Sequence, residues 1–155
     1  MASAKPKKAA PPSLEARVFV ALLTAADRLT QDADRLMKAH GLTGTQYNVL
    51  RILRGAEPIG LPCKGISDRM ISRDPDMTRL LDRMEKRGMI SRERQKDDRR
   101  VVKTRITAQG LDTLRKLDFP VEELHRNQFR SVGTARLKTL AAALEEAFPK
   151  TPECS

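Results

Sequence analysis

The chain has 155 residues, of which 39% are hydrophobic and 32% charged, and its formal net charge is +10. This length allows one ordinary domain with a real core, and the excess of Lys and Arg favours a polyanionic partner, because such side chains release counterions from phosphates. With one Tyr and no Trp, the chain lacks the aromatic platforms on which single strands stack, which disfavours a single-strand or RNA-sheet reader.

The two cysteines, Cys63 and Cys154, lie far apart and form neither a metal-ligand spacing nor a disulfide framework. A reducing cytoplasm therefore fits the chain. No apolar run is long enough to span a bilayer, so we expect no membrane partner. Residues 1–12 are basic and lack an apolar segment, which predicts a disordered arm rather than a secretory signal. Residues 150–155 are expected to form a loose tail.

The first predicted helix covers residues 13–40. Ser13 can act as its N-cap and Gly41 as its stop. At about 40 Å it is long for a chain of this size, so we expect it to pair with a second chain. Its apolar residues recur every three or four positions, as one helical stripe requires: Leu14, Val18, Leu22, Ala25, Leu29, Ala33 and Leu36.

Residues 41–107 are predicted to form a winged helix-turn-helix lobe. A helix capped by Thr43 or Thr45 is expected to end near Arg54, followed by a loop over residues 55–62, a short helix over residues 63–70 and a turn. Asp74 and Pro75 are expected to open the next helix, because Asp caps and Pro loses no hydrogen bond at the first helical position. Its core-facing residues follow the i, i+3, i+4, i+7 spacing: Met77, Leu80, Leu81 and Met84.

A hairpin with a charged turn is predicted after Gly88, the expected stop of that helix. Residues 89–94 and 101–106 have strand-compatible side chains, and residues 95–100 are all polar or charged. Basic residues greatly outnumber acidic ones between Lys86 and Arg105, and a cationic cluster beside a helix is the footprint of nucleic-acid binding.

Residues 108–149 are predicted to form C-terminal dimerisation helices. Thr107 caps the first, which Pro120 ends or bends, and residues 134–148 form the last helix, with Leu137, Leu140 and Leu144 on one stripe. The expected fold is mostly α with a small β-hairpin wing: a winged helix-turn-helix between N- and C-terminal dimerisation helices of a two-fold homodimer.

Three segments in order resemble the MarR family of bacterial transcription regulators: LTGTQYNVLRIL, MTRLLDRMEKRGMISR and DDRRVVKTRITAQG. The resemblance implies a homodimer that binds a palindromic operator, with residues 74–87 as the recognition helix. It also implies that Asp98 orients Arg100, which enters a minor groove. Such grooves attract arginine where they are narrow. Release of DNA by a small, commonly aromatic, ligand is implied in the same way.

This sequence departs from the family pattern in the loop EPIGLPCKG and in the helix opening SRDPD. Asp74 and Asp76 would repel nearby phosphates. They either stabilise the helix N-terminus or accept from a cytosine amino group, and we favour the first interpretation. The residues assigned to DNA contact are Arg73, Asp76, Thr78, Arg79, Arg83, Arg94, Lys96, Asp98, Arg99 and Arg100.

Several of these assignments have alternatives. Arg79 could instead pair with a neighbouring acid such as Asp82, Arg83 could contact only the DNA backbone or solvent, and Arg94 and Lys96 could lie on a solvated strand edge. The effector-binding residues are unknown, although Arg17, Arg28, Tyr47 and Arg51 are conceivable by position.

Other function classes find less support. Cys63 is either a redox sensor or an incidental thiol, and we favour the incidental thiol. The two histidines belong to no ligand cluster, so we expect no metal and no cofactor. No phosphate loop, nucleophile elbow or HExxH motif is present, so we expect no enzyme. The main alternative is an architectural protein that binds DNA without sequence preference. A small-molecule-binding or enzymatic protein that has lost DNA binding is disfavoured by the intact wing motif.

Overall fold

The structure is a computed structural model that describes residues 11–72, 74–94 and 101–149. The elements in this part are α1 (Leu14–Ala39), α2 (Gly44–Gly55), β1 (Leu61–Pro62), α3 (Cys63–Ser67), α4 (Met77–Lys86), β2 (Ile90–Arg94), β3 (Val102–Ile106), α5 (Ala108–Gln128) and α6 (Thr134–Ala147). The prediction of a mostly α chain with a small β wing is confirmed. No described helix is both long enough and apolar enough to cross a membrane.

The predicted N-caps of three helices are confirmed. Ser13 accepts a hydrogen bond from the Ala16 backbone N–H, and Thr107 accepts one from the Gly110 N–H. Thr43, rather than Thr45, caps α2, and it does so in a reciprocal capping box with Gln46. Each cap satisfies a donor that the first helical turn leaves unpaired. The local sequence therefore defines these three helix starts.

The start of α4 differs from the prediction. The helix begins at Met77 and not at Asp74, and Pro75 lies outside it. Asp76 is the N-cap, because its carboxylate accepts a hydrogen bond from the Arg79 N–H. Asp74 instead accepts from the N–H of Asp76 at 2.8 Å and so stabilises the turn before the helix.

The sheet has three antiparallel strands in the order β1-β3-β2. β2 pairs with β3 over its whole length, from Ile90 opposite Ile106 to Arg94 opposite Val102. The prediction placed residues 61–62 in a loop, but Leu61 pairs with Thr104 and forms a short third strand. The α3 helix is also shorter than predicted, because it ends at Ser67.

Pro120 does not end α5, which continues through it to Gln128. The proline removes only one backbone donor, and the helix is held on both sides of it by buried side chains, including Leu117 and Val121. Burial of this apolar face outweighs the lost hydrogen bond.

One hydrophobic core lies under the lobe formed by α2, α3, α4 and the sheet, and α5 packs against it. Its completely buried members include Val49, Leu50, Leu53, Ile66, Met84, Leu114 and Leu117. The two terminal helices contribute almost nothing to it: Met37 is the buried residue of α1, and none is buried in α6 as the structure describes it. Apolar side chains on both helices are consequently exposed.

Candidate nucleic-acid interface

Helix α4 separates an apolar face from a basic one. Met77, Leu80, Leu81 and Met84 are buried in the core, as predicted. The remaining positions include Thr78, Arg79 and Arg83, which are exposed. A helix that is anchored by one face and presents basic and hydroxyl side chains on the other has the layout that major-groove recognition requires.

The N-terminal end of α4 carries a compact ion pair. One carboxylate oxygen of Asp76 accepts from the Arg79 backbone N–H at 3.2 Å, while the other lies 3.3 Å from Arg79 Nε. The Arg79 side chain is nevertheless 81% exposed. Arg79 therefore does pair with a neighbouring acid, but that acid is Asp76 and not Asp82, the example that the sequence suggested.

Asp82 instead belongs to a cluster that joins α4 to the wing strand β2. Arg92 Nη2 donates to Asp82 Oδ1 at 2.5 Å and to Glu85 Oε2 at 2.6 Å. Arg92 Nε donates to Glu85 Oε2 at 2.9 Å, and the Arg92 backbone N–H donates to Glu85 Oε1 at 3.1 Å. Hydrogen bonding to Glu85 raises the pKa of Arg92; burial opposes this shift, and hydrogen bonding to Asp82 adds to it. We call Arg92, Asp82 and Glu85 the Arg92 clamp.

The C-terminal end of α4 is fixed by contacts to two other segments, the turn between α1 and α2 and the start of α5. Arg87 Nη2 donates to the Gly41 carbonyl at 2.8 Å, in the turn between α1 and α2. The Arg87 carbonyl accepts from Gln109 Nε2 at 3.1 Å, and Thr107 Oγ1 donates to the Gly88 carbonyl at 2.6 Å. These bonds hold the C-terminal end of the helix, and together with the buried apolar face they give its exposed face a defined orientation on the lobe.

The predicted DNA-contacting residues fall into two groups. Asp76, Thr78, Arg79 and Arg83 are brought together on α4 and at its start, and Arg94 is exposed at the end of β2. The other five assignments lie outside the described residues: Arg73, Lys96, Asp98, Arg99 and Arg100.

The sequence reasoning missed the Arg92 clamp. It counted Arg92 only as part of the cationic cluster, yet the Arg92 side chain is 25% exposed and is engaged by two acids. The available signal was the i, i+3 spacing of Asp82 and Glu85, which places both carboxylates near one side of α4.

A second polar cluster links α2 to α5. Arg54 Nη1 donates to both carboxylate oxygens of Asp118, at 2.9 and 3.0 Å. The Arg51 guanidinium carbon lies 5.9 Å from the centre of the Tyr47 ring, within cation–π range. Burial raises the pKa of Tyr47, and Arg51 opposes this shift. Of the conceivable effector-lining residues, Tyr47 and Arg51 are therefore neighbours, while Arg17 and Arg28 are exposed on α1.

Within the described residues, no group of three or more His, Cys, Asp or Glu side chains could hold a metal ion. Cys63 is exposed and has no disulfide partner there. Neither observation supports a metal site or a disulfide as an alternative functional site on the described surface.

Comparisons with known proteins extend this description. The family model described as "MarR family" matches residues 42–102. The homoprotocatechuate degradative operon repressor of Escherichia coli is 27% identical over 127 residues, which are 82% of this chain and 84% of the repressor. The match to the family model includes α4 and the wing strand β2.

Two solved structures resemble the fold over most of its length. A MarR transcription factor from Planctomyces limnophilus has a TM-score of 0.68 at 33% sequence identity, covering 88% of this chain and 99% of that one. A mutant MarR from Escherichia coli, crystallised with operator DNA, has a TM-score of 0.77 at 18% identity, covering 89% and 100%. At that identity the second similarity concerns the fold alone.

Proposed function

Because the chain belongs to the MarR family of transcriptional regulators, we propose that it is a dimeric repressor that binds a palindromic operator and is released by a small ligand. The observation that carries the proposal is the exposed basic face of α4, anchored by four buried apolar side chains. Thr78, Arg79 and Arg83 would face the major groove from this helix, and Arg73 and Asp76 would lie at its entry.

The wing would supply the second set of DNA contacts. The Arg92 clamp holds β2 against α4, so a wing that follows β2 would keep a constant distance from the recognition helix. Arg94, Lys96 and Arg99 would contact phosphates there, and Arg100, oriented by Asp98, would enter the minor groove. Phosphate contacts give affinity and register, while base contacts give specificity.

Dimerisation would occur through α1 and α6. In the described chain α6 buries none of its residues, and α1 exposes Leu14, Val18, Phe19, Val20 and Leu23. Exposed apolar surface of this kind favours association. Because it lies on the first and last helices of the chain, a dimer formed through it would leave the two α4 helices facing outwards. A two-fold dimer would then place them in successive major grooves about 34–36 Å apart.

A small aromatic molecule is the proposed effector. One similar protein is the homoprotocatechuate degradative operon repressor. The aromatic compound in its name is the reason for proposing this ligand class. The effector would favour a spacing of the two α4 helices that no longer fits successive grooves. The relatives found are regulators, and we propose the same non-catalytic role here, in the cytoplasm where the DNA lies.

Binding of the purified protein to the intergenic DNA upstream of its own gene tests the proposal. A scrambled duplex of the same length and composition is the control, at near-physiological salt. We expect the upstream DNA to bind tighter by a factor on the order of 10³ or more. Equal affinity for both duplexes, and for further intergenic duplexes, would favour the architectural alternative, because that function needs no base readout.

A further inference from the structure

Asp76 contacts the same arginine in two ways. Its Oδ1 accepts from the Arg79 backbone N–H and so caps α4, while its Oδ2 lies 3.3 Å from Arg79 Nε. A serine or threonine could provide the cap, but neither could pair with the guanidinium. Capping therefore does not explain the contact between the second carboxylate oxygen and the Arg79 guanidinium.

An acid at this place has an evident cost for a protein that binds a polyanion. Asp76 places a negative charge at the N-cap of the helix whose exposed face carries Arg79 and Arg83. Half of the Asp76 side chain is exposed, so its charge would be felt by approaching phosphates. The N-cap needs only an acceptor at this place, whereas the ion pair with Arg79 is the contact that needs the negative charge.

The Asp76 carboxylate comes closest to the Nε of Arg79 rather than to a terminal nitrogen. Those terminal N–H groups form the planar fork that matches O6 and N7 of guanine in the major groove. A carboxylate at Nε restricts rotation of the long side chain while the fork is left available. The Arg79 side chain, which is 81% exposed, would otherwise sample many rotamers before reaching a base.

We propose that Asp76 is a positioning residue that orients the Arg79 guanidinium for reading guanine. This inference rests on the proposed function, since it requires α4 to enter the major groove of an operator. It assigns Asp76 a role through Arg79 and no base contact of its own.

The test begins with selection of preferred sequences from a random duplex library by the wild-type protein and by Arg79→Ala. The base pair at which Arg79→Ala loses a preference for guanine is the one that Arg79 reads. At this pair, the affinity ratio between guanine and adenine is then measured for Asp76→Asn. Asparagine caps as well as aspartate but lacks the charge that holds Nε.

We expect Asp76→Asn to lower this ratio by about five-fold or more, with an unchanged melting temperature. Asp76→Asn should have no further effect on the ratio in the Arg79→Ala background. Asp74→Asn is the matched control, because it removes the same charge two residues away and keeps the acceptor for the Asp76 N–H. It should leave the ratio unchanged.

Four results would overturn the inference. An unchanged ratio in Asp76→Asn, with tighter binding to every duplex, would mean that Asp76 only repels phosphates. The same loss of preference in the Arg79→Ala background would mean that Asp76 reads the base itself. Unaltered preferences in Arg79→Ala would show that Arg79 reads no base. A wild-type protein without any preference would instead defeat the proposed function, on which the inference depends.

Discussion

Arg92 Nη2 lies 2.6 Å from Glu85 Oε2, and this contact ties the wing strand β2 to helix α4. Residues 87–94 separate the end of α4 from the predicted charged turn of the wing, so the position of the wing strand relative to the helix depends on such cross-links. The Arg92 side chain is 25% exposed, which limits screening by solvent. The clamp is therefore expected to contribute to stability and to the geometry of the DNA-binding surface together.

Replacement of Arg92 by Ala should lower the free energy of unfolding by about 1–2 kcal/mol, because it removes charge-assisted hydrogen bonds and leaves two acids close together. Urea unfolding of the purified variant measures this. Arg83→Ala is the control, since Arg83 is exposed on α4 and is not a member of the Arg92 clamp. Its loss should change the free energy of unfolding by no more than about 0.5 kcal/mol. Equal stability of the two variants would contradict the proposed contribution of the clamp.

Replacement of Arg100 by Ala should weaken operator binding by about 1–3 kcal/mol while the protein stays folded and dimeric. The reason is that an arginine in a narrow minor groove gains from its concentrated negative potential. Titration of labelled operator DNA gives the affinity, and Lys116→Ala on α5 controls for the loss of one positive charge. Unchanged affinity in Arg100→Ala would refute the wing assignment.

Replacement of Gly110 by Ala should destabilise the protein by about 1–3 kcal/mol, as overpacking of a filled core does. A Cβ at this position would lie 2.3 Å from the Met89 carbonyl oxygen and 2.7 Å from Ile106 Cγ1. Gly55→Ala is the matched control, because its Cβ would meet no atom within 4 Å. Thermal unfolding followed by circular dichroism compares the two, and similar melting temperatures would show that α5 packs less closely on the sheet.

The phenol of Tyr47 should titrate above its ordinary pKa of about 10 in the folded protein, because burial raises the pKa. Ionisation is disfavoured in the fold, so this contribution to stability is present at lower pH and is lost as the pH rises through the folded pKa. The chain has one Tyr, and phenolate absorbance therefore reports on it alone.

Arg51→Gln provides the internal check on that titration. Arg51 lowers the pKa of Tyr47, so its removal should raise the pKa further. The protein unfolded in urea should titrate near the ordinary value. A native titration that coincides with the unfolded one would mean that the Tyr47 ring is fully hydrated.

Local signals in the sequence predicted much of this fold. The apolar spacing of α4 correctly identified its buried face. Ser13 and Thr107 correctly marked two helix starts, and Thr43 was one of two candidates for a third, because capping depends on residues three positions apart. The start of α4 was wrong because Asp74 and Asp76 are both competent caps, and only the hydrogen bonds of the folded chain distinguish them.

Long-range contacts explain what the sequence did not reveal. Leu61 and Pro62 form a strand only because β3 pairs with them from about forty residues away, and a two-residue strand has no periodicity of its own. The Arg92 clamp was missed for the same reason. The exposed face of α4 could be predicted because it is the complement of the buried face, whereas its ion-pair partners could not.

Truncation before Thr134 should abolish dimerisation, because it removes α6, none of whose residues is fully buried within the described chain. Analytical ultracentrifugation gives the mass of the full-length and truncated proteins.

Leu140→Glu is a milder version of the same test: Leu140 is 42% exposed, and a buried charge at an interface is costly. Lys138→Glu controls for the added negative charge two residues away, on a different side of the helix. We expect Leu140→Glu to dissociate the dimer and Lys138→Glu to leave it intact. A truncated protein that remains dimeric and binds the operator would show that α6 is not the dimerisation element.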